Sequence, residues 1–265
     1  MIAFETRGSG PKLLMVHGLG SSRNAWTPIL DDLAKHRELI LFDLPGHGAS
    51  PAQPDSGTFT GLTRSVSRFI ADQGLGAVDM VGSSIGGRIV LELARQGGTG
   101  SVVALDPGGF WQGWERGFTA TTLKASVKLL RASRRLLPTL GGNPVGRSAL
   151  LLQLSARPWA LDPVVTTREL QSFAATSIFE ALVDDLTTGP AQAGPAAPDC
   201  GPVTIGWGAH DRLCLPRQAH RAAAAFPGAR LHWFKHSGHF PMWDEPAEAL
   251  QVILDATGGR WRAAV

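Results

Sequence analysis

The sequence predicts an α/β fold, a mostly parallel central sheet with helices on both faces and a helical cap inserted into it. Three observations predict this. Apolar runs of strand length alternate with stretches of helix length from residue 2 to residue 106. The alternation stops over 109–198, where helix-like segments follow one another, and resumes at 203. The strand-length runs end in loops that carry His17, Asp43, Ser84 and Asp106, so one crevice at the strand carboxyl ends could gather them.

Residues 2–6 read as an edge strand before the turn Gly8-Ser9-Gly10-Pro11. The run 12–16 is apolar and too short for a helix. It ends in His17-Gly18-Leu19-Gly20-Ser21-Ser22, a glycine-rich loop whose bare backbone N–H groups suit negative charge. His17, at a strand end, reads as a structural hydrogen-bonding group. Residues 24–36 have helical spacing, with Trp26, Ile29, Leu30 and Leu33 on one side. A strand at 39–43 closes in a tight turn through Pro45, Gly46 and Gly48, where Asp43 and His47 read as a turn-stabilising pair. A helix is expected over 60–74.

The strand at 78–81 runs straight into Gly82-Ser83-Ser84-Ile85-Gly86, a G-x-S-x-G pattern followed by helix-like residues 88–95. A strand that turns at once into a helix forces the middle residue into a strained conformation with its side chain clear. It also leaves no room for a Cβ two residues before or after, hence Gly82 and Gly86. Ser84 is therefore the candidate nucleophile. A strand at 101–106 follows. Four helical segments are expected in the insertion, at 119–137, 145–156, 164–175 and 178–187, bounded by the Pro/Ala/Gly linker 189–202. The strand 203–208, a helix near 217–226, the strand 230–235, a helix at 246–257 and a loose tail at 258–265 complete the chain. The domains expected are a core of 1–108 and 199–265 and a cap of 109–198.

At 265 residues the chain suits one α/β domain with an insertion. The net charge of +3 is small and scattered, so no nucleic-acid partner is expected. No apolar run approaches the ~20 residues that span a bilayer, and the first residues lack the layout of a signal peptide. A soluble cytoplasmic protein with no membrane partner is the expectation. Cys200 and Cys214 have no zinc-site spacing and read as free thiols, so no metal or cofactor is expected.

Five motifs together carry a family resemblance over nearly the whole chain: His17-Gly18-Leu19-Gly20, Asp43-Leu44-Pro45-Gly46-His47-Gly48-Ala49-Ser50, Gly82 to Gly87, Gly208-Ala209-His210-Asp211 and Ser237-Gly238-His239-Phe240-Pro241. In this order and spacing they resemble the α/β-hydrolase fold with a helical cap. The resemblance implies a triad of Ser84, Asp211 and His239. Each member also suits its role: a serine hydroxyl needs a base, an imidazole shuttles protons near neutral pH, and a carboxylate orients that imidazole. Asp106 is the alternative acid, since some family members place it after the earlier strand. The resemblance also implies an oxyanion hole formed by the backbone N–H groups of Leu19 and Ile85.

A serine at position 84 disfavours the dehalogenase and epoxide-hydrolase branches, which use an aspartate there; the latter also need cap tyrosines, and this chain has none. Hydrolysis of a small-molecule carboxylic ester, lactone or thioester is expected. The alternatives are carbon–carbon hydrolysis of diketone-type acids, cofactor-free peroxidation, an acyl-carrier-protein ester hydrolase, or a non-catalytic small-molecule receptor. Phe110, Trp111 and Trp114 are candidate substrate-binding residues. Lys124, Lys128, Arg131, Arg134 and Arg135 share one expected helix with no acid among them, a candidate dock for an acidic carrier protein.

Overall fold

The computed structural model describes residues 2–258. A seven-stranded sheet is built from β1 (Phe4–Arg7), β2 (Lys12–Val16), β3 (Glu38–Phe42), β4 (Asp79–Ser83), β5 (Val102–Leu105), β6 (Val203–Gly208) and β7 (Arg230–Phe234). Its order is β1-β3-β2-β4-β5-β6-β7, with β1 antiparallel to β3 and every other pair parallel.

The apolar runs of the central strands follow from their being covered on both faces. In β2, Leu14 and Val16 join the cluster that includes Leu62, Val66 and Ile89, from α2 (Phe59–Asp72) and α3 (Ile85–Gln96). Leu13 and Met15 point the other way, to Ile29 and Leu33 of α1 (Thr27–Leu33) and Ile253 of α11 (Pro246–Ala256). The strand period of two thus assigns alternate residues to opposite layers, and each buried Leu or Val contributes about 1.5–3 kcal/mol.

Between β5 and β6 come five helices, α4 (Trp114–Ala132), α5 (Leu137–Gly142), α6 (Pro144–Leu151), α7 (Pro163–Ala175) and α8 (Phe179–Thr188). Here α4 packs on α7 and α8, while α5 packs on α6 and α7. The helix expected over 119–137 starts earlier, at Trp114, and breaks after Ala132. Pro138 lacks an amide hydrogen, so it serves the first turn of a new helix, α5, which the glycines at 141 and 142 end. The linker 189–202 is pinned to the core: Gln192 N–H donates to Gly109 O and Ala197 N–H to Ala94 O, each at 2.9 Å. After β6 come α9 (Arg217–Ala225), β7, the single-turn α10 (Pro241–Asp244) and α11. The expectation of a loose tail falls on residues outside the described range, apart from Gly258. Among the described residues no helix is long and apolar enough to cross a membrane.

Candidate active site

The turn between β4 and α3 has the strain that the sequence pattern requires. Ser84 sits at φ 57° and ψ −117°, a left-handed region that side-chain-bearing residues rarely enter. A Cβ on Gly82 would lie 2.2 Å from Gly86 O. A Cβ on Gly86 would lie 2.1 Å from Val16 O and 2.6 Å from His17 O. The two glycines therefore serve different approaches: Gly82 closes the turn on itself, and Gly86 lets α3 start against the end of β2. A Cβ on Gly18 would lie 3.3 Å from Ser84 Cβ, so the loop after β2 passes directly over the serine.

Ser84, Asp211 and His239 come together from three loops. His239 is 1% exposed and Asp211 is 2% exposed. His239 Nδ1–H donates to Asp211 Oδ2 at 2.8 Å, which leaves Nε2 unprotonated to accept from Ser84 Oγ–H, also at 2.8 Å. The other oxygen of Asp211 accepts from Leu213 N–H at 2.7 Å and Cys214 N–H at 2.9 Å. Both oxygens of this carboxylate thus accept from a donor. Asp106 stands beside it at φ 44°, where Oδ1 accepts from Gly208 N–H at 2.8 Å and Oδ2 is buried without a partner among the described residues. Burial and the Asp211 charge push the Asp106 carboxyl well above the usual carboxylate range. The imidazole meets Asp211, and Asp106 stands beside that carboxylate without bonding the imidazole.

The loop that carries His239 has a support that sequence reasoning missed. Asp244, in α10, accepts from Gly238 N–H (2.7 Å), Ala156 N–H (2.8 Å) and Ser155 Oγ–H (2.5 Å). His239 N–H itself donates to Leu154 O at 2.9 Å. The segment after α6 thus helps hold the imidazole in place. The sole signal for this was an acid five residues after the histidine.

His17 is fully buried and bonded on both ring nitrogens: Nδ1–H donates to Gly18 O at 2.8 Å, and Nε2 accepts from Leu44 N–H at 2.9 Å. Burial lowers its pKa from about 6.5 to about 4, so it stays neutral and ties the ends of β2 and β3 together. Asp43 accepts from the backbone N–H groups of Arg23 and Ala49 and pairs with the Arg23 guanidinium. His47 is buried with its pKa lowered to about 3, burial being the main cause. These three residues build turns and stand apart from the serine.

A narrow cavity of about 70 Å³ lies against Ser84 and His239. Its walls come from both sides: Leu19, Ile85, Leu213 and Cys214 from the core loops, and residues such as Leu130, Leu154, Phe173 and Phe179 from the inserted helical segment. Of the three aromatic candidates, Trp111 lines the cavity. Phe110 and Trp114 do not line it. Phe110 is buried in the core with its ring 6.5 Å from that of Trp207, because the chain turns inward as it leaves β5. Trp114 is 62% exposed at the start of α4, packed on Phe118 and under the Arg217 guanidinium. Helical periodicity shows that α4, α7 and α8 have an apolar side, but not that this side faces a cavity in place of a closed core.

Asp211, Cys214 and His239 offer ligand-type atoms within 4.8 Å of one another. The fit for a cation is poor, since the Asp211 and His239 atoms already bond each other and burial raises the Cys214 thiol well above its usual range. Cys200 is likewise a free thiol. Of the basic run on α4, Lys124 pairs with Asp184 and Arg131 with Glu180, both of α8. Those two charges hold helices together.

An uncharacterized protein of Mycobacterium tuberculosis is 27% identical over 264 residues, covering 95% of this chain and 76% of its own length. A monoacylglycerol lipase of Xenopus laevis is 24% identical over 260 residues, 94% of this chain and 75% of the lipase. Among solved structures, the enol-lactonase from Burkholderia xenovorans superposes with a TM-score of 0.76 at 20% identity, over 96% of this chain and 95% of that one. A sequence model of the alpha/beta hydrolase family matches residues 13–252, so the chain belongs to that family.

Proposed function

We propose that this chain is a serine hydrolase that cleaves a small-molecule carboxylic ester through an acyl-enzyme on Ser84. The observation that carries the reading is the unbroken hydrogen-bonded line from Ser84 Oγ through His239 to Asp211, set in the wall of an apolar cavity. A serine hydroxyl is close to inert at neutral pH unless a base accepts its proton as it attacks. His239 Nε2 accepts that proton, Oγ bonds to the ester carbonyl carbon, and the carbonyl oxygen becomes an oxyanion. Collapse expels the alcohol oxygen, which takes the proton back from Nε2. Water then repeats the cycle on the acyl-enzyme, giving its proton to Nε2 and releasing the acid. Asp211 keeps the imidazole in the required tautomer and stabilises its cationic form without taking the proton.

The oxyanion is met by the backbone N–H groups of Leu19 and Ile85, both at the cavity wall beside Ser84. Ile85 also opens α3, whose amino end carries partial positive charge. One such donor is worth about 2.7–4 kcal/mol because it acts on charge that exists only on the way over the barrier. The inserted helical segment acts as the lid that excludes water and fixes which acyl or alcohol group enters. The lipase relative is consistent with ester chemistry. Two of the five basic residues of the candidate dock, Lys124 and Arg131, form internal pairs, which favours a free ester over a carrier-bound one.

The test is a panel of chromogenic esters from acetyl to dodecanoyl, with a lactone, a carrier-bound ester and a diketone-type acid beside them. Ester turnover with an optimum at short to medium chains is expected from the narrow cavity, with no carrier advantage that falls with salt. Turnover of the diketone acid alone, or ligand binding without turnover, would overturn the reading.

A further inference from the structure

The inserted helical segment grips the loop that bears Leu19 through a buried carboxyl group. Glu169, in the middle of α7, is fully buried, and its Oε2 accepts a hydrogen bond from Ser21 Oγ–H. Its Oε1 is buried with no partner among the described residues. Thr176 Oγ1 also lies 3.3 Å from Gly20 O, while its hydroxyl has a nearer acceptor in Ser172 O at 3.0 Å. At Gly20 (φ 75°) a Cβ would lie 2.7 Å from the Phe173 ring and 2.8 Å from the Phe179 ring, so the contact is direct. As packing alone, a buried carboxyl with one oxygen unpaired is a poor choice, because an apolar side chain of the same volume avoids its desolvation. Its position, two residues from Leu19 through Ser21, points to a task in the chemistry.

We propose that Glu169 is a positioning residue for hydrolysis: its carboxylate holds Ser21, setting the loop 18–22 so that Leu19 N–H meets the oxyanion, and the hold weakens when the carboxylate takes up a proton. This rests on the ester-hydrolysis reading above. Burial pushes the Glu169 carboxyl up to about 7, opposed by the Ser21 hydrogen bond, Arg168 and Ser22, and assisted by Asp43. The charged groups around it are Arg168 on its own helix, Asp43 after β3, and Arg23, which pairs with Asp43. On α4, Arg131 is tied to Glu180 and to the carbonyls of Ala174 and Thr176; α5 carries no titratable side chain. Above about pH 7 the group is ionised and accepts a charge-assisted bond, and below it the neutral group holds Ser21 with an ordinary one.

The experiment measures kcat and KM for a short-chain ester between about pH 5.5 and 9 in the wild type and in Glu169→Gln. Above about pH 8 the variant is expected to lose roughly tenfold in kcat, a part of what removing a whole oxyanion donor costs, with KM within about twofold. The ratio of wild type to variant then falls towards 1 below about pH 6, where both carry a neutral side chain, and any ionisation the two enzymes share cancels in the ratio. A ratio constant across pH, or no loss, overturns the proposal. If Glu169→Gln does not fold, Ser21→Ala serves, since it breaks the same hold: its loss in kcat is largest above about pH 8 and shrinks below about pH 6, and a loss that does not change with pH overturns the proposal. Labelling of Ser84 by a fluorophosphonate separates the two readings. A wild type that neither labels nor hydrolyses esters sinks both, whereas one that does both with a flat ratio sinks the positioning role alone.

Discussion

Ser84→Ala is expected to lower kcat/KM for the preferred ester by roughly 10⁴-fold or more, with what remains coming from the oxyanion donors and substrate binding. The expected size follows from the geometry. His239 and Asp211 stay in place, but no nucleophile is left for the base to activate, so their contributions are lost with it. The fold should survive, because Ser84 Oγ bonds His239 Nε2 at the wall of the cavity and its removal strands no group in the core. A thermal melt within a few degrees of the wild type is expected beside the lost rate. Collapse of the fold, or a rate near that of the wild type, would count against Ser84 as nucleophile.

Asp211→Asn is expected to cost about 10⁴-fold in kcat, while Asp106→Asn stays within a few-fold of the wild type. The contrast comes from what each carboxyl group accepts. Asp211 takes two backbone N–H bonds on one oxygen and His239 on the other. An asparagine that keeps its carbonyl on the backbone donors turns its NH₂ towards His239 Nδ1 and imposes the tautomer whose Nε2 carries a proton, which cannot accept from Ser84. The reverse orientation sets its NH₂ against Leu213 and Cys214. Burial and the Asp211 charge push the Asp106 carboxyl up, which favours its neutral form, and an amide can still accept from Gly208 N–H. Steady-state rates of the two purified variants decide the matter, and a large loss in Asp106→Asn with little in Asp211→Asn would move the acid to the earlier strand.

The sheet and its loops were legible because each carries a local cause. An apolar run of strand length can be read in β2 or β6 without knowing its neighbours, and the Gly-x-Ser-x-Gly turn states its own strain. Gly86 was expected to relieve crowding within that turn, whereas its Cβ would strike Val16 and His17, a clash that exists only once β2 lies beside β4. The inserted helices were legible as helices and not as a surface. Nothing in the periodicity of α7 shows that Phe173 faces a cavity in place of a closed core. Glu169 and Asp244 were illegible for another reason. Each is an ordinary acid in sequence, and only long-range packing brings it to Ser21 or to Gly238. The short helices α5 and α10 have too few residues to show a period, so proline is their main mark.

The central claim is that an imidazole held by Asp211 makes the Ser84 hydroxyl a nucleophile. Its most direct measurement is the intact mass of enzyme quenched in acid during turnover of a slowly deacylated ester, followed by peptide mapping. One acyl group on the peptide that contains Ser84, present in the wild type and absent from Ser84→Ala, is the expected result. Full turnover with no acyl group on Ser84, or an acyl group at another residue, would contradict it.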